Sequence, residues 1–286
     1  MRFQVFSAGG QQGLGIVDAH GSLRGLLAGE PGYPGALETL VAQGGPTLAA
    51  AGQRLAGGRE FAPADIHTLP PLARPHKIIC IGLNYRDHAR EGGFQVPDYP
   101  AVFVRFHSSL VGAGAPLVRP AASNQFDFEG ELAVVIGKAG RHIAREQALE
   151  HVAGYSVFND ASVRDYQMKG AQWTMGKNFD GTGAFGPWLV TPDEVPPGAR
   201  GLRLQTHLNG VLVQDGSTDD MIFDVATLIS LLSATFTLEA GDVIVTGTPA
   251  GVGYTRQPPL FMQAGDVCEV GIEGIGLLCS TVVDEA

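Results

Sequence analysis

The chain has 286 residues, 44% of them hydrophobic, and its 19 Lys+Arg against 29 Asp+Glu give a net charge of −10. That composition supports a substantial buried core and excludes global disorder, and the acidic balance argues against a phosphate-backbone partner, so no nucleic acid is expected. Three cysteines (Cys80, Cys268, Cys279) are too few and too scattered for a disulfide framework or a thiolate zinc site. No stretch approaches the ~20 apolar residues of a membrane span, and the N-terminus lacks a basic region followed by an apolar run. A soluble, cytoplasmic protein is therefore expected, with 40 Gly and 18 Pro favouring many short strands over a helical bundle.

In chain order, MRFQVF and GLGIVDAHGSLRGL read as a strand followed by a hairpin turning near His20-Gly21. GALETLVAQ and PTLAAAGQRLA carry apolar residues at helical spacing. Residues 1–68 thus read as a small N-terminal α/β domain, and the proline-rich stretch 69–76 as a stiff linker. Beyond it, in 77–286, KIICIGL is a short buried strand and Asn84 to Glu91 a polar loop or short helix ended by Gly92-Gly93. AVFVRF and FEGELAVVIG follow as strands, Arg145 to Gly154 as a helix, and GYSVFND and GPWLVT as strands. LRLQTHLNGVLVQ is a hairpin turning at Asn209-Gly210, Phe223 to Phe236 a helix, GDVIVTGTP a strand and turn, and DVCEVGIEGIGLLCSTVV a closing hairpin.

The chemistry concentrates in three places. Strand residues two apart face the same side, so Glu129 and Glu131 project two carboxylates onto one face, roughly 6–7 Å apart at Cα. At the start of an apolar strand such a pair is either a solvated strand end or a site bridged by a hard cation, for which Mg²⁺, Mn²⁺ or Ca²⁺ suits oxygen donors better than zinc. Asn159-Asp160 ends another apolar strand, as a helix cap or as part of a site that continues through Arg164 and Gln167. Lys177, in a stretch poor in other cations, is either a surface charge or an oxyanion partner. Gly181-Thr182-Gly183-Ala184-Phe185-Gly186 spells G-x-G-x-x-G, yet it follows a polar segment and precedes Pro187, so a dinucleotide role is rejected.

Five segments in order, KIICIGLNYRDHARE, DFEGELAVVIG, GYSVFNDASVRDYQ, GKNFDGTGAFGP and VIVTGTPAGVG, resemble the fumarylacetoacetate hydrolase family from about Lys77 to the C-terminus. The resemblance implies an α+β fold, a β-dominated mixed-sheet roll, behind the small N-terminal domain. It implies Glu129, Glu131 and Asp160 as carboxylate ligands of a divalent metal, with Mg²⁺ expected and Mn²⁺ or Ca²⁺ possible. Arg164, Gln167, Lys177 and Thr248 become residues around the substrate. His88 and Glu91 resemble the family's His–Glu dyad on a segment that orders over the substrate. Residues three apart on a helical turn are neighbours, so Glu91 can orient the imidazole of His88 as a general base, and Gly92-Gly93 would let the segment move.

The chain departs from common family versions at Arg105-Phe106-His107, where many relatives have a lysine followed by proline. Arg105 is assigned to a substrate carboxylate, with an ordinary strand-end arginine and an exposed His107 as the alternative. The expected activity is metal-dependent C–C hydrolysis of an acylpyruvate-type 2,4-diketo acid, with His88, Glu91 and Lys177 catalytic. The same enolate chemistry serves decarboxylation of an oxaloacetate-like acid or keto–enol isomerisation, and a non-catalytic binding protein is the remote alternative. The partner is a small anionic keto acid, not a membrane, and the resemblance implies a homodimer.

Overall fold

The computed structural model describes residues 1–93 and 95–286. Its N-terminal strands β1 (Arg2–Ala8), β2 (Gln11–Val17) and β3 (Leu23–Leu27) form an antiparallel meander. Helices α1 (Leu37–Gln43) and α2 (Gly45–Ala56) come next, then the short strands β4 (Arg59–Phe61) and β5 (His67–Thr68). α2 buries Leu48, Ala51, Gly52 and Leu55, the three-to-four spacing of one apolar stripe.

The middle of the chain contributes β6 (Ile78–Gly82), α3 (Arg86–Glu91), β7 (Ala101–Arg105), β8 (Leu110–Val111), β9 (Leu117–Arg119), β10 (Phe126–Asp127) and β11 (Gly130–Ile136). β12 (Val152–Asp160), β13 (Ser162–Val163), α4 (Arg164–Gln167), α5 (Thr174–Lys177) and β14 (Gly183–Val190) complete the site region. The rest is β15 (Arg203–Leu208), β16 (Val211–Ser217), α6 (Val225–Thr235), β17 (Val243–Val245), β18 (Val267–Ile272) and β19 (Gly276–Asp284). A twelve-stranded mixed sheet runs β4-β3-β2-β1-β14-β12-β11-β17-β6-β7, with β5 on β1 and β8 on β14, and a five-stranded sheet runs β16-β15-β18-β19-β9. This is the strand-dominated α+β architecture expected from the sequence.

Two expectations change. The N-terminal segment does not close on itself: β1 pairs with β14 as well as β2, and Leu40, Leu48 and Leu55 share a core with Ala133, Phe158 and Leu189. The stretch 69–76 is thus a connection along one continuous sheet, with the Leu69 N–H donating to the Val5 carbonyl and Leu72 buried. The segment expected as a helix at 145–154 is a 3₁₀ helix over Arg145–His151, and strand β12 takes over at Val152.

β11 is buried along its whole length and lies at the centre of the molecule. Its Leu132 and Val134 face the five-stranded sheet and α6, through Leu204, Val270 and Leu228. Ala133 and Val135 face the other way, toward the N-terminal helices. A strand covered on both faces reads as a continuous apolar run, which explains LAVVI. Gly130 continues the Leu132 face, where a Cβ would meet Thr206 Oγ1 at 2.4 Å and Val270 Cγ1 at 2.8 Å. The second sheet can therefore approach only because a glycine separates the two glutamates.

Candidate active site

The β11–β12 register pairs Gly130 with Asn159 and Glu131 with Phe158, so Glu129, Glu131 and Asp160 project from one face of adjacent strands. Their carboxylate oxygens lie within 4.8 Å of one another, and all three residues are buried. Two cations stand beside them. Lys177 Nζ lies 2.6 Å from both Glu129 Oε2 and Asp160 Oδ2, and Arg164 Nη1 lies 2.7 Å from Glu129 Oε1. Arg164 is fixed in turn: its Nε donates to Asp127 Oδ2 at 2.8 Å and its Nη1 to Gln167 Oε1 at 2.9 Å.

The neighbours split the two glutamates. Burial opposes ionisation of Glu129, but Arg164 and Lys177 outweigh it and hold the carboxyl at about 2. Burial and then the charges of Asp160 and Glu129 push Glu131 well above the ordinary carboxyl range. Glu131 accepts one backbone N–H, from Gly247 at 2.5 Å, and among the described residues no cationic side chain is bonded to it. Burial by itself would lower the Lys177 ammonium; Asp160 and Glu129 reverse that, and the net direction is up.

Three buried carboxylates converging on one point, one of them bonded to no cationic side chain among the described residues, suit a hard divalent cation with oxygen ligands. Glu129, Glu131 and Asp160 would hold it.

A cavity of about 80 Å³ opens over this cluster, lined by His88, Glu129, Glu131, Arg164, Gln167, Lys177 and Thr248 on its polar side. Ile81, Leu83, Phe103, Trp173 and Tyr254 contribute apolar wall. His88 is buried on α3, its Nδ1 3.4 Å from Glu91 Oε2. Both Glu91 oxygens accept the Gly251 N–H at 3.1 Å. Burial raises the Glu91 carboxyl, but His88 and Gly251 outweigh it and the net direction is down. Thr248 is held by donating to the Gly130 carbonyl at 2.9 Å and accepting from Gln214 Nε2 at 2.8 Å.

Arg105 is placed differently from its sequence assignment to substrate. Its side chain is 0% exposed and sits behind Asp160, with Nη1 2.5 Å from Asp160 Oδ1, Nη2 donating to Thr182 Oγ1 and Nε to Ser109 Oγ. Strand alternation explains this: in β7 Phe103 and Arg105 point inward while Val102 and Val104 point out. Its guanidinium is spent on aiming a carboxylate, and it does not line the cavity. His107 is exposed. The G-x-G-x-x-G stretch leads into strand β14 where a dinucleotide site needs a helix.

Sequence reasoning passed over Asp127, Trp173 and Tyr254. Asp127 opens the DFEGELAVVIG segment; fully buried, it accepts from Arg164 and from the backbone N–H groups of Gly253 and Tyr254, tying the cluster to the 251–254 turn. The Arg164 guanidinium lies 4.5 Å from the Tyr254 ring centroid. Only Asp127's place beside the glutamates could have marked it. A larger cleft of about 810 Å³ lies near Gly44, Lys138 and Asp193, remote from the carboxylate cluster.

The fumarylacetoacetate hydrolase C-terminal family matches residues 77–283, and the chain belongs to that family. It is 42% identical to human mitochondrial oxaloacetate tautomerase FAHD2A over 266 residues, 92% of this chain and 84% of that protein. Its structure superposes on a fumarylacetoacetate hydrolase from psychrophilic Exiguobacterium antarcticum with a TM-score of 0.88, 37% identity and complete coverage of both chains. It also superposes on maleylpyruvate hydrolase from Sphingobium sp. SYK-6, solved in complex with manganese(II) and pyruvate, with a TM-score of 0.81, 30% identity and complete coverage of both. The family match begins at the end of the proline-rich stretch.

Proposed function

We propose that this protein is a divalent-cation-dependent enzyme that interconverts the keto and enol forms of a small 2-oxo dicarboxylic acid of the oxaloacetate kind. The observation that carries this reading is an imidazole, oriented by a carboxylate, on the wall of the same small cavity as three convergent carboxylates. The cavity, about 80 Å³, is far below the ~300–1,000 Å³ of pockets for drug-sized ligands. Its size favours an acid of few carbons, and the oxaloacetate tautomerase activity of the human relative agrees.

A cation held by Glu129, Glu131 and Asp160 would supply Lewis acidity that lowers the cost of an enolate; the all-oxygen donor set favours Mg²⁺, with Mn²⁺ as the substitute. The chain's own groups do the rest. Glu91 holds Nδ1 of His88 and leaves Nε2 to take a proton from the carbon beside the 2-oxo group and return one to the oxygen. The 3.4 Å His88–Glu91 separation is of the loose kind that tightens when substrate closes a site. Lys177 and Arg164 offset the wall's own carboxylates, so that with the cation added the site would favour an anionic acid, and Gln167 and Thr248 complete the polar wall.

The second reading is hydrolysis of a 2,4-diketo acid to pyruvate and a carboxylic acid. It uses His88 and Glu91 to activate water and Lys177 at the oxyanion, and the maleylpyruvate hydrolase likeness favours it. Decarboxylation of the same four-carbon acid would proceed without water.

The deciding measurement is the ultraviolet rate of keto–enol exchange of oxaloacetate, with Mg²⁺ and with chelator, beside CO₂ release and solvent-oxygen incorporation from an acylpyruvate. Tautomerisation should require the cation, and Glu91→Gln should lower kcat by about 10²–10⁴ while cation affinity holds. Solvent oxygen in a cleaved product, with no acceleration of exchange, would replace this reading by the hydrolytic one.

The same strand alternation that turns Phe103 and Arg105 inward leaves Val102 and Val104 outward on β7, which among the described residues pairs with β6 alone, and Phe106 lies exposed just beyond its end. Phe106 is 53% and Met175 68% exposed beside them. We propose that a second copy of the chain covers this edge as a homodimer, since exposed apolar edges invite pairing. Val104→Lys with Phe106→Glu should then convert a dimer to a monomer in sedimentation; a monomeric parent protein would remove the idea.

A further inference from the structure

Part of the cavity's apolar wall is built by an arrangement that metal ligation and proton transfer do not require. Trp173 precedes α5, lines the cavity, and packs edge-on against Phe103 with ring centroids 5.5 Å apart. Its six-membered ring occupies the place where Gly82, at the end of β6, has no side chain. A Cβ built on Gly82 would lie 2.0 Å from Trp173 Cζ3 and 2.7 Å from Cη2. No side chain of any size at position 82 is compatible with the indole where it stands. Four residues beyond Trp173, Lys177 contacts Glu129 and Asp160, so one short segment carries both a cation on the carboxylate cluster and an indole on the cavity's apolar wall.

We propose that Trp173, seated on the bare backbone of Gly82, is the specificity-determining residue that limits the acid to a short chain beyond its 2-oxo group. The proposal rests on the keto-acid reading of the site. An acid whose 2-oxo carboxylate end lies at the carboxylate cluster directs its remaining carbons toward the Ile81–Gly82–Leu83, Phe103 and Trp173 wall. With the indole in place that wall stops a bulky acyl or aryl group. Its removal would add apolar space bounded by Phe103 and the Gly82 backbone, open to larger groups. A tryptophan wedge discriminates by sterics, the mode in which each added methylene is worth about 10–200-fold.

The test compares the parent protein with Trp173→Ala and Trp173→Phe, each loaded with Mn²⁺, by calorimetric titration with oxalate and with phenylpyruvate. Oxalate can chelate through its two adjacent carboxylates, and phenylpyruvate through its carboxylate and 2-oxo oxygens with an aryl group beyond them. The preference for phenylpyruvate over oxalate should rise by about tenfold or more in Trp173→Ala and by less in Trp173→Phe. The ratio of kcat/KM for a bulky acylpyruvate to that for oxaloacetate should move the same way. Gly82→Ala provides the opposite perturbation: it forces the indole toward the cavity and should weaken binding of both acids. A parent protein that binds oxalate, with a ratio that stays fixed in both Trp173 variants, overturns the assignment and leaves the keto-acid reading standing. Failure of Mn²⁺-loaded parent protein to bind either acid overturns the keto-acid reading, and the Trp173 assignment with it.

Discussion

Glu129 and Glu131 sit two residues apart on one face, both buried, and their electrostatic surroundings are opposite. Around Glu129 the protein has built its own counter-charges: Arg164 and Lys177 hold it ionised, and Asp127 and Asp160 share those cations. Around Glu131 there is a backbone N–H and two like charges, which outweigh the more distant pull of Lys177. The first half of the cluster is a self-sufficient network; the second has no bonded cation among the described residues. Burial alone therefore does not separate the two glutamates; what separates them is that only Glu129 is bonded to protein cations.

The largest expected effect breaks this comparison by stability. Glu129→Gln takes one of two carboxylates from each of Arg164 and Lys177, which keep Asp127 and Asp160, and should destabilise the metal-free protein by about 3 kcal/mol. Glu131→Gln, which removes an unfavourable charge, should leave the metal-free protein as stable or more so. Urea titration in chelator measures both, and equal losses would mean the two glutamates are electrostatically alike. Next in size is the converse. Glu131→Gln should weaken Mn²⁺ or Mg²⁺ binding by about 100-fold or more, above the ~10–100-fold of lost outer-shell partners. An unaltered titration would remove Glu131 from the ligand set.

The smallest effect sharpens the comparison through pH. Because the folded Glu131 carboxyl lies above its ordinary value of 4.5, the folded state binds more protons than the unfolded one just above that pH. Stability of the metal-free protein should therefore fall as pH rises from 4.5, by up to about 1.4 kcal/mol per unit, and the fall should vanish in Glu131→Gln or under saturating cation. Glu129 has the other sign: its contribution is present above 4.5 and is lost as pH falls through about 2. Cation affinity should rise with pH across the Glu131 transition, since binding releases that proton.

Strand alternation and motif order made much of the site legible. The i, i+2 rule placed Glu129 and Glu131 on one face, and the i, i+3 rule placed Glu91 beside His88, because both are properties of the local backbone. Hairpins at 18–22 and 209–210, the helix at 225–235 and the apolar β11 followed from turn chemistry and period for the same reason. The register between β11 and β12, which sets Asp160 beside the glutamates, depends on a pairing across 30 residues that the family resemblance supplied and local pattern could not. Arg105 shows the limit most plainly: its strand position was readable, but whether its charge met a substrate or Asp160 depended on what lay across the sheet. The same holds for Gly130 and Gly82. Each is an unremarked glycine in the sequence, and only packing reveals that one admits the second sheet and the other admits Trp173, since a close approach is a property of two distant segments at once.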